Sequence, residues 1–210
     1  MKRFSILAVA ALSVALAAVI GPAQASDALK GAASLKGQFL VAAPSMRDPR
    51  FKESVIFIIA HDGAGAVGLI VNKTLGRGRL ADMLKGLGIP SDNAAPAAER
   101  PIRLGLGGPV ALSRGFFILH SGDWSDPSTM RVGDGIFLSR QVGLLRAMAE
   151  GGGPKQTLLV VGYAGWSANQ LESELARSDW LSAPADPTVI FGDEQDGKWA
   201  AALKGAGVKL

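Results

Sequence analysis

Apolar residues along this chain fall in short runs, and their spacing alternates between continuous and helical. Residues 39–43 form an apolar run ended by Pro44 and predict a strand. Residues 54–61 (SVIFIIAH) are β-branched and strongly apolar, which predicts a buried strand. Asp62-Gly63 and Gly65 supply turn signals, and residues 66–72 (AVGLIVN) predict the returning arm of a hairpin. Leu80, Met83, Leu84 and Leu87 recur at three or four and predict one face of a helix over 79–87, ended by Gly88 and Pro90. Residues 91–99 read as an Ala/Pro-rich loop.

Residues 102–106 predict a strand leading to Gly107-Gly108-Pro109, and residues 115–120 (GFFILH) predict a buried one. Residues 121–128 read as a loop containing Trp124. Residues 130–132 and 136–138 predict two strands around the turn Gly133-Asp134-Gly135. Ser139 is placed to cap a helix to about Glu150, with Val142, Leu145 and Met148 on one side. Gly151–Gly153 and Pro154 stop it. Residues 157–163 (TLLVVGY) predict a central strand. Ser167-x-x-Gln170 has the form of a capping box before a helix that buries Leu171 and Leu175. Residues 188–191 predict a final strand, and 195–203 a closing helix with Trp199 inward. Strands and helices do not alternate regularly, which favours an α+β fold over a doubly wound sheet.

The N-terminus has a different pattern. Lys2 and Arg3 precede an uncharged apolar run over residues 4–20, then Gly21-Pro22 and Ala23-Gln24-Ala25. This is the form of a cleavable export signal, with cleavage expected after Ala25 and a periplasmic or secreted product. Two alternatives stay open. The run is near the minimum length of an uncleaved anchor, and a misassigned start codon would leave the protein cytoplasmic. The expected organisation is a signal over 1–25, a linker over 26–36 and one domain over 37–208.

Composition narrows the chemistry. The 210 residues include no cysteine, which excludes disulfides, thiolate catalysis and iron–sulfur ligation. Setting aside Lys2 and Arg3 leaves 20 basic and 18 acidic residues, a net +2. That balance argues against a nucleic-acid partner held mainly through phosphate contacts. No H-E-x-x-H, G-x-x-x-x-G-K-[ST], G-x-S-x-G or S-x-x-K motif occurs, and no cofactor is implied.

Several blocks together carry a resemblance. They are Gln38-Phe39-Leu40 with Pro44, Asp48-Pro49-x-Phe51-x-x-Ser54-Val55, Gly68-Leu69-Ile70-Val71-Asn72-Lys73, and Gly107-Gly108-Pro109-Val110 followed by Arg114-Gly115-Phe116 and Leu119-His120. The last is Gly162-Tyr163-Ala164-Gly165-Trp166-x-x-x-Gln170-Leu171-Glu172-x-Glu174 with Trp180-Leu181. In this order, over residues 34–208, they resemble the YqgE/AlgH family. The resemblance implies an α+β fold in which a mixed, strongly bent β-sheet forms a partial barrel with flanking helices. It implies no agreed reaction; the regulatory label many members carry would need DNA contact, which an exported protein lacks.

Candidate site residues follow from position. Tyr163, Trp166 and Gln170 lie where a predicted strand becomes a helix, a common ligand position. Asn72, Gly107, Gly108 and Arg114 are candidates for the rim of the same ligand-binding groove. For Gly107-Gly108 the alternative is a tight turn with close backbone approach. His61 and His120 each end a predicted strand and could act with Asp62 or Asp123 as acid and base, or bind a metal. The alternative is that each merely bonds a turn. The expectation is a non-catalytic binding or regulatory protein for a peptide, protein or small ligand, without metal. A hydrolase using His61 or His120 and a transcriptional regulator are the alternatives.

Overall fold

The structure, a computed structural model, describes residues 34–86, 88–89, 96–112 and 115–208. The signal over 1–25, most of the linker, Leu87 and Arg114 lie outside the described residues.

The strands are β1 (Gln38–Ala42), β2 (Val55–Asp62), β3 (Gly65–Ile70), β4 (Thr74–Arg79), β5 (Pro101–Leu106), β6 (Phe116–Ser121), β7 (Met130–Gly133), β8 (Ile136–Ser139), β9 (Thr157–Val161), β10 (Ala164–Ser167) and β11 (Trp180–Pro184). The helices are α1 (Leu80–Gly86), α2 (Val142–Ala149), α3 (Gln170–Ala176), α4 (Pro187–Phe191) and α5 (Lys198–Gly205), with a 3₁₀ turn at Pro96–Glu99.

The strands divide between two sheets. One has five strands in the order β10-β3-β2-β1-β11, all antiparallel. The other has six in the order β4-β5-β9-β6-β8-β7, mixed because β5 and β9 run parallel. The end strands of neither sheet pair with each other. The α+β class therefore stands, but the single strongly bent sheet of a partial barrel is corrected to two open sheets.

Alternation within the apolar runs explains the layering. In β2, Val55, Phe57 and Ile59 enter a core shared with Leu119, Leu138, Leu158 and Val160 of the six-stranded sheet. Ile56 and Ile58 point the other way, toward Trp166, Leu171 and Trp180. A strand buried on both faces reads as a continuous apolar run, as β2 does. The outer face of the six-stranded sheet packs Ile102, Ile118 and Leu159 against Leu80 and Leu84 of α1 and Leu144, Leu145 and Met148 of α2. Helices α4 and α5 add Val189, Ile190 and Leu203 to the shared core.

The hairpin of β2 and β3 forms as expected, with a register shift between Ile58 and Ala60. Three local expectations are corrected, and one strand had no expectation. Residues 188–191 are helix α4 rather than a strand, because the Asp186 side chain accepts the Thr188 N–H and Pro187 occupies the first turn. That start signal outweighs three β-branched residues. Ser139 ends β8 instead of capping α2; its Oγ accepts the Gln141 N–H at 3.1 Å. The strand expected over 157–163 stops at Val161, and the chain re-enters the other sheet as β10. Strand β4, TLGRGR and exposed throughout, has no apolar alternation to announce it.

Glycine explains the crossing between sheets. Gly162 has φ 71°, and a Cβ there would strike the Gly108 carbonyl oxygen. A Cβ on Gly107 would strike the Gly162 carbonyl oxygen, so these two segments pass backbone to backbone. Gly107 accepts the Ile70 N–H and donates to the Val161 carbonyl, both at 2.8 Å, which ties β3 to β9 at the seam.

Candidate functional site

A polar network of side chains gathers around Glu174. Strand β10 points Ala164 and Trp166 inward and Gly165 and Ser167 outward. Helix α3 follows within three residues and buries Leu171. Gln170 and Glu174, one turn apart, share a face. Gln170 Oε1 accepts the Ser167 N–H at 3.1 Å and the Ser167 hydroxyl at 3.0 Å. The glutamine half of a capping box is thus present, although the helix starts after Asn169, in the left-handed conformation at φ 62°. Gln170 Nε2 donates to Glu174 Oε1 at 3.0 Å. Glu174 Oε2 accepts the indole N–H of both Trp166 and Trp180, each at 2.8 Å.

The two indoles come from β10 and β11, the end strands of the five-stranded sheet, and meet edge to face with centroids 6.0 Å apart. Phe51 packs edge-on against Trp180 at 5.5 Å. This aromatic cluster floors a cleft of about 520 Å³ walled by Met46, Gly165, Gln170 and Glu174 and rimmed by Arg47, Arg50 and Arg177. Arg50 is paired with Asp48 at 2.6 Å and lies over the Phe51 ring. Its guanidinium holds the Asp48 carboxyl below the usual carboxylate range. Arg177 pairs with Asp179 at 2.9 Å.

Of the sequence candidates, the structure brings Trp166 and Gln170 together in this cleft. Asn72 lies behind it: its side chain accepts the Val55 N–H and donates to the Glu53 carbonyl, both at 2.8 Å. Lys73 donates to the Arg50 carbonyl at 2.7 Å, so the two residues fasten the loop that presents Phe51 and Arg50. Tyr163 packs edge-on against Phe117 beside the shared core, and its backbone bridges Val110. Gly107 and Gly108 fill the seam described above, with the Tyr163 backbone where a Gly108 side chain would go.

The histidines sit in different sheets. His61 Nδ1 accepts the Leu35 N–H at 3.0 Å, which leaves its proton on Nε2 to donate to Glu172 at 2.9 Å. Burial raises the Glu172 carboxyl, but the His61 contact and a backbone hydrogen bond together outweigh it and hold the carboxyl low. His120 is wholly buried, donates from Nδ1 to the Ser121 carbonyl and stacks on Phe137. Burial holds its imidazole below the usual range. Asp62 and Asp123 accept backbone N–H groups of Ala64 and Lys155 and stabilise turns. Among the described residues no three acidic or histidine side chains gather as a metal site. No described helix is long and apolar enough to cross a membrane.

Trp180, Phe51 and Glu174 belong to the cleft; the sequence placed them in the resemblance blocks but not among the candidate site residues. Glu174 had a local signal, its one-turn spacing from Gln170; the other two converge only through sheet pairing.

Two open sheets with flanking helices and an aromatic cleft beside α3 define the class: an α+β protein. The chain belongs to the AlgH-like family, whose profile matches residues 39–210. A UPF0301 protein of Methylococcus capsulatus is 46% identical over 181 residues, covering 86% of this chain and 96% of the relative. One of Ruegeria pomeroyi is 45% identical over 175 residues, covering 83% and 92%. The solution structure of AlgH from Pseudomonas aeruginosa matches with TM-score 0.68 and 37% identity over 85% of this chain and 92% of that one. A crystal structure from Corynebacterium diphtheriae shares the fold at TM-score 0.64 and 22% identity, over 80% of this chain and 85% of that one.

Proposed function

We propose that this chain is a non-catalytic binding protein that takes an aromatic, anionic group of a peptide or small ligand into the Trp166–Trp180 cleft. The observation that carries this is the shared acceptor: one Glu174 oxygen fixes both indoles, and so sets the floor of the cleft beside Phe51. A preset aromatic floor lowers the ordering cost of binding, and the rim arginines, two of them shared with Asp48 and Asp179, supply guanidinium donors for a carboxylate or phosphate on the ligand. His61 has both nitrogens engaged and His120 is buried, so neither imidazole is presented to a substrate as a base.

The reading places the protein beyond the cytoplasmic membrane, because of the charged start, apolar run and Ala23-Gln24-Ala25 ending. Nucleic acid and cofactors have no part in it.

N-acetylphenylalanine is a suitable probe. Titration followed by NMR is expected to move the Trp166 and Trp180 indole N–H signals saturably, and Arg177→Glu to weaken binding about tenfold, the scale of one charge-assisted contact. Unmoved indole signals at millimolar probe would end the proposal. Intact mass of the exported protein tests the placement: the expected N-terminus is Ser26, and a retained Met1 in a cytosolic fraction would overturn it.

A further inference from the structure

A second cleft, of about 280 Å³, lies at the other sheet where β4, β5, the start of β9 and the segment after α4 converge. Arg77, Arg100, Arg103 and Lys155 line it, against one lining carboxylate, Asp193. Arg77 takes that carboxylate at 2.9 Å.

Three features set this cleft apart from a solvated basic surface. Arg77 and Arg103 stand directly opposite each other on antiparallel β4 and β5. Like charges in that relation repel unless something between them answers the charge. Arg103 is 6% exposed; its Nη1 and Nη2 donate to the carbonyls of Gly192 and Ile190, while its buried Nε has no hydrogen-bond partner among the described residues. Behind it Lys198 is 5% exposed, with only a long 3.4 Å contact to the Ile190 carbonyl. Burial, then the Arg103 charge, push the Lys198 amine down to about 8. Buried cations at this density, with Asp193 as the one acid lining the cleft, are expensive to hold.

We infer that this cleft is an oxyanion site, built for the phosphate group of a small molecule. A tetrahedral dianion would meet the guanidinium and ammonium donors of Arg77, Arg100 and Lys155 and answer the positive charge that Asp193 alone leaves unbalanced around Arg103. The cations converge on one small volume instead of tracking a line, which fits a single phosphate better than a polymer backbone. The site is separate from the Trp166 cleft and does not depend on the function proposed for it.

Inorganic phosphate, with sodium chloride at matched ionic strength as control, is the first probe. Phosphate is expected to raise the melting temperature progressively and chloride not to. The Arg100→Ala/Lys155→Ala variant should bind phosphate at least tenfold more weakly in calorimetry. In unmodified protein the Arg103 Nε–H NMR signal should shift with the same apparent Kd, a readout independent of any variant's folding. Equal effects of chloride and phosphate, or an Arg103 signal that stays in place, would overturn the inference. A parallel titration with glycerol 3-phosphate identifies the source of the group. Tighter binding than inorganic phosphate assigns a phosphomonoester, and equal or weaker binding assigns free phosphate.

Discussion

The two clefts treat charge in opposite ways. Around Glu174 both carboxylate oxygens accept hydrogen bonds, and the three donors are side chains that shape the recess. Around Arg103 several cations share one carboxylate, and a buried guanidinium nitrogen goes without an acceptor. A satisfied network fixes a shape before a ligand arrives; an unsatisfied one stores repulsion that a ligand can relieve. The difference teaches that charge removal should have opposite signs at the two places.

The largest effect is expected from Glu174→Ala. It leaves two buried indole N–H groups without an acceptor and should cost about 2–4 kcal/mol in urea denaturation. Glu174→Gln keeps one acceptor oxygen and should cost about half as much. If both variants match the parent in stability, the carboxylate does not organise the cleft.

Next comes Asn72→Ala, which frees the Glu53 carbonyl and the Val55 N–H and loosens the loop carrying Phe51. A loss of about 1–2 kcal/mol is expected. Broadened Trp180 signals should accompany it, with Arg103 unaffected. Broadening at both clefts would show that they are not independent.

The smallest effect has the opposite sign. Lys198→Met removes a buried amine and keeps its apolar volume, and should stabilise the protein by about 1 kcal/mol at pH 7. The sign follows from protonation: Lys198 titrates near 8 when folded and near 10.5 when unfolded. The unfolded chain therefore binds more protons between those values, and this residue's contribution to stability rises with pH across the window. The parent should gain stability from pH 8 to 10 relative to Lys198→Met. Parallel curves for the two proteins would mean that Lys198 is not a burden, and the repulsion assigned to the basic cleft would lose its main support.

How much of this was readable beforehand depended on range. Strands β2 and β3 declare themselves because burial on both faces leaves long apolar runs with a turn between. Trp166 and Gln170 were legible because a strand end and a capping pattern sit side by side in the chain. Phe51 and Trp180 were not legible as partners, since pairing of β1 with β2 and β11 brings their segments together. The basic cleft was still more hidden: Arg77, Arg103 and Lys155 lie in three separate segments, and a net charge near neutrality conceals local excess. The fold erred where propensity and start signals disagreed, as at Asp186-Pro187, and where a glycine permitted a change of sheet, as at Gly162.

That change of sheet has a mechanical consequence. Only Gly162 and Tyr163 separate β9 from β10, and the neighbouring glycine backbone occupies the space a side chain would need on either segment. The joint acts as a weld between two plates rather than a hinge. Pulling one plate away would break the bonds across the seam, Ile70 to Gly107 and Val110 to Tyr163, so the two sheets are expected to lose their structure together.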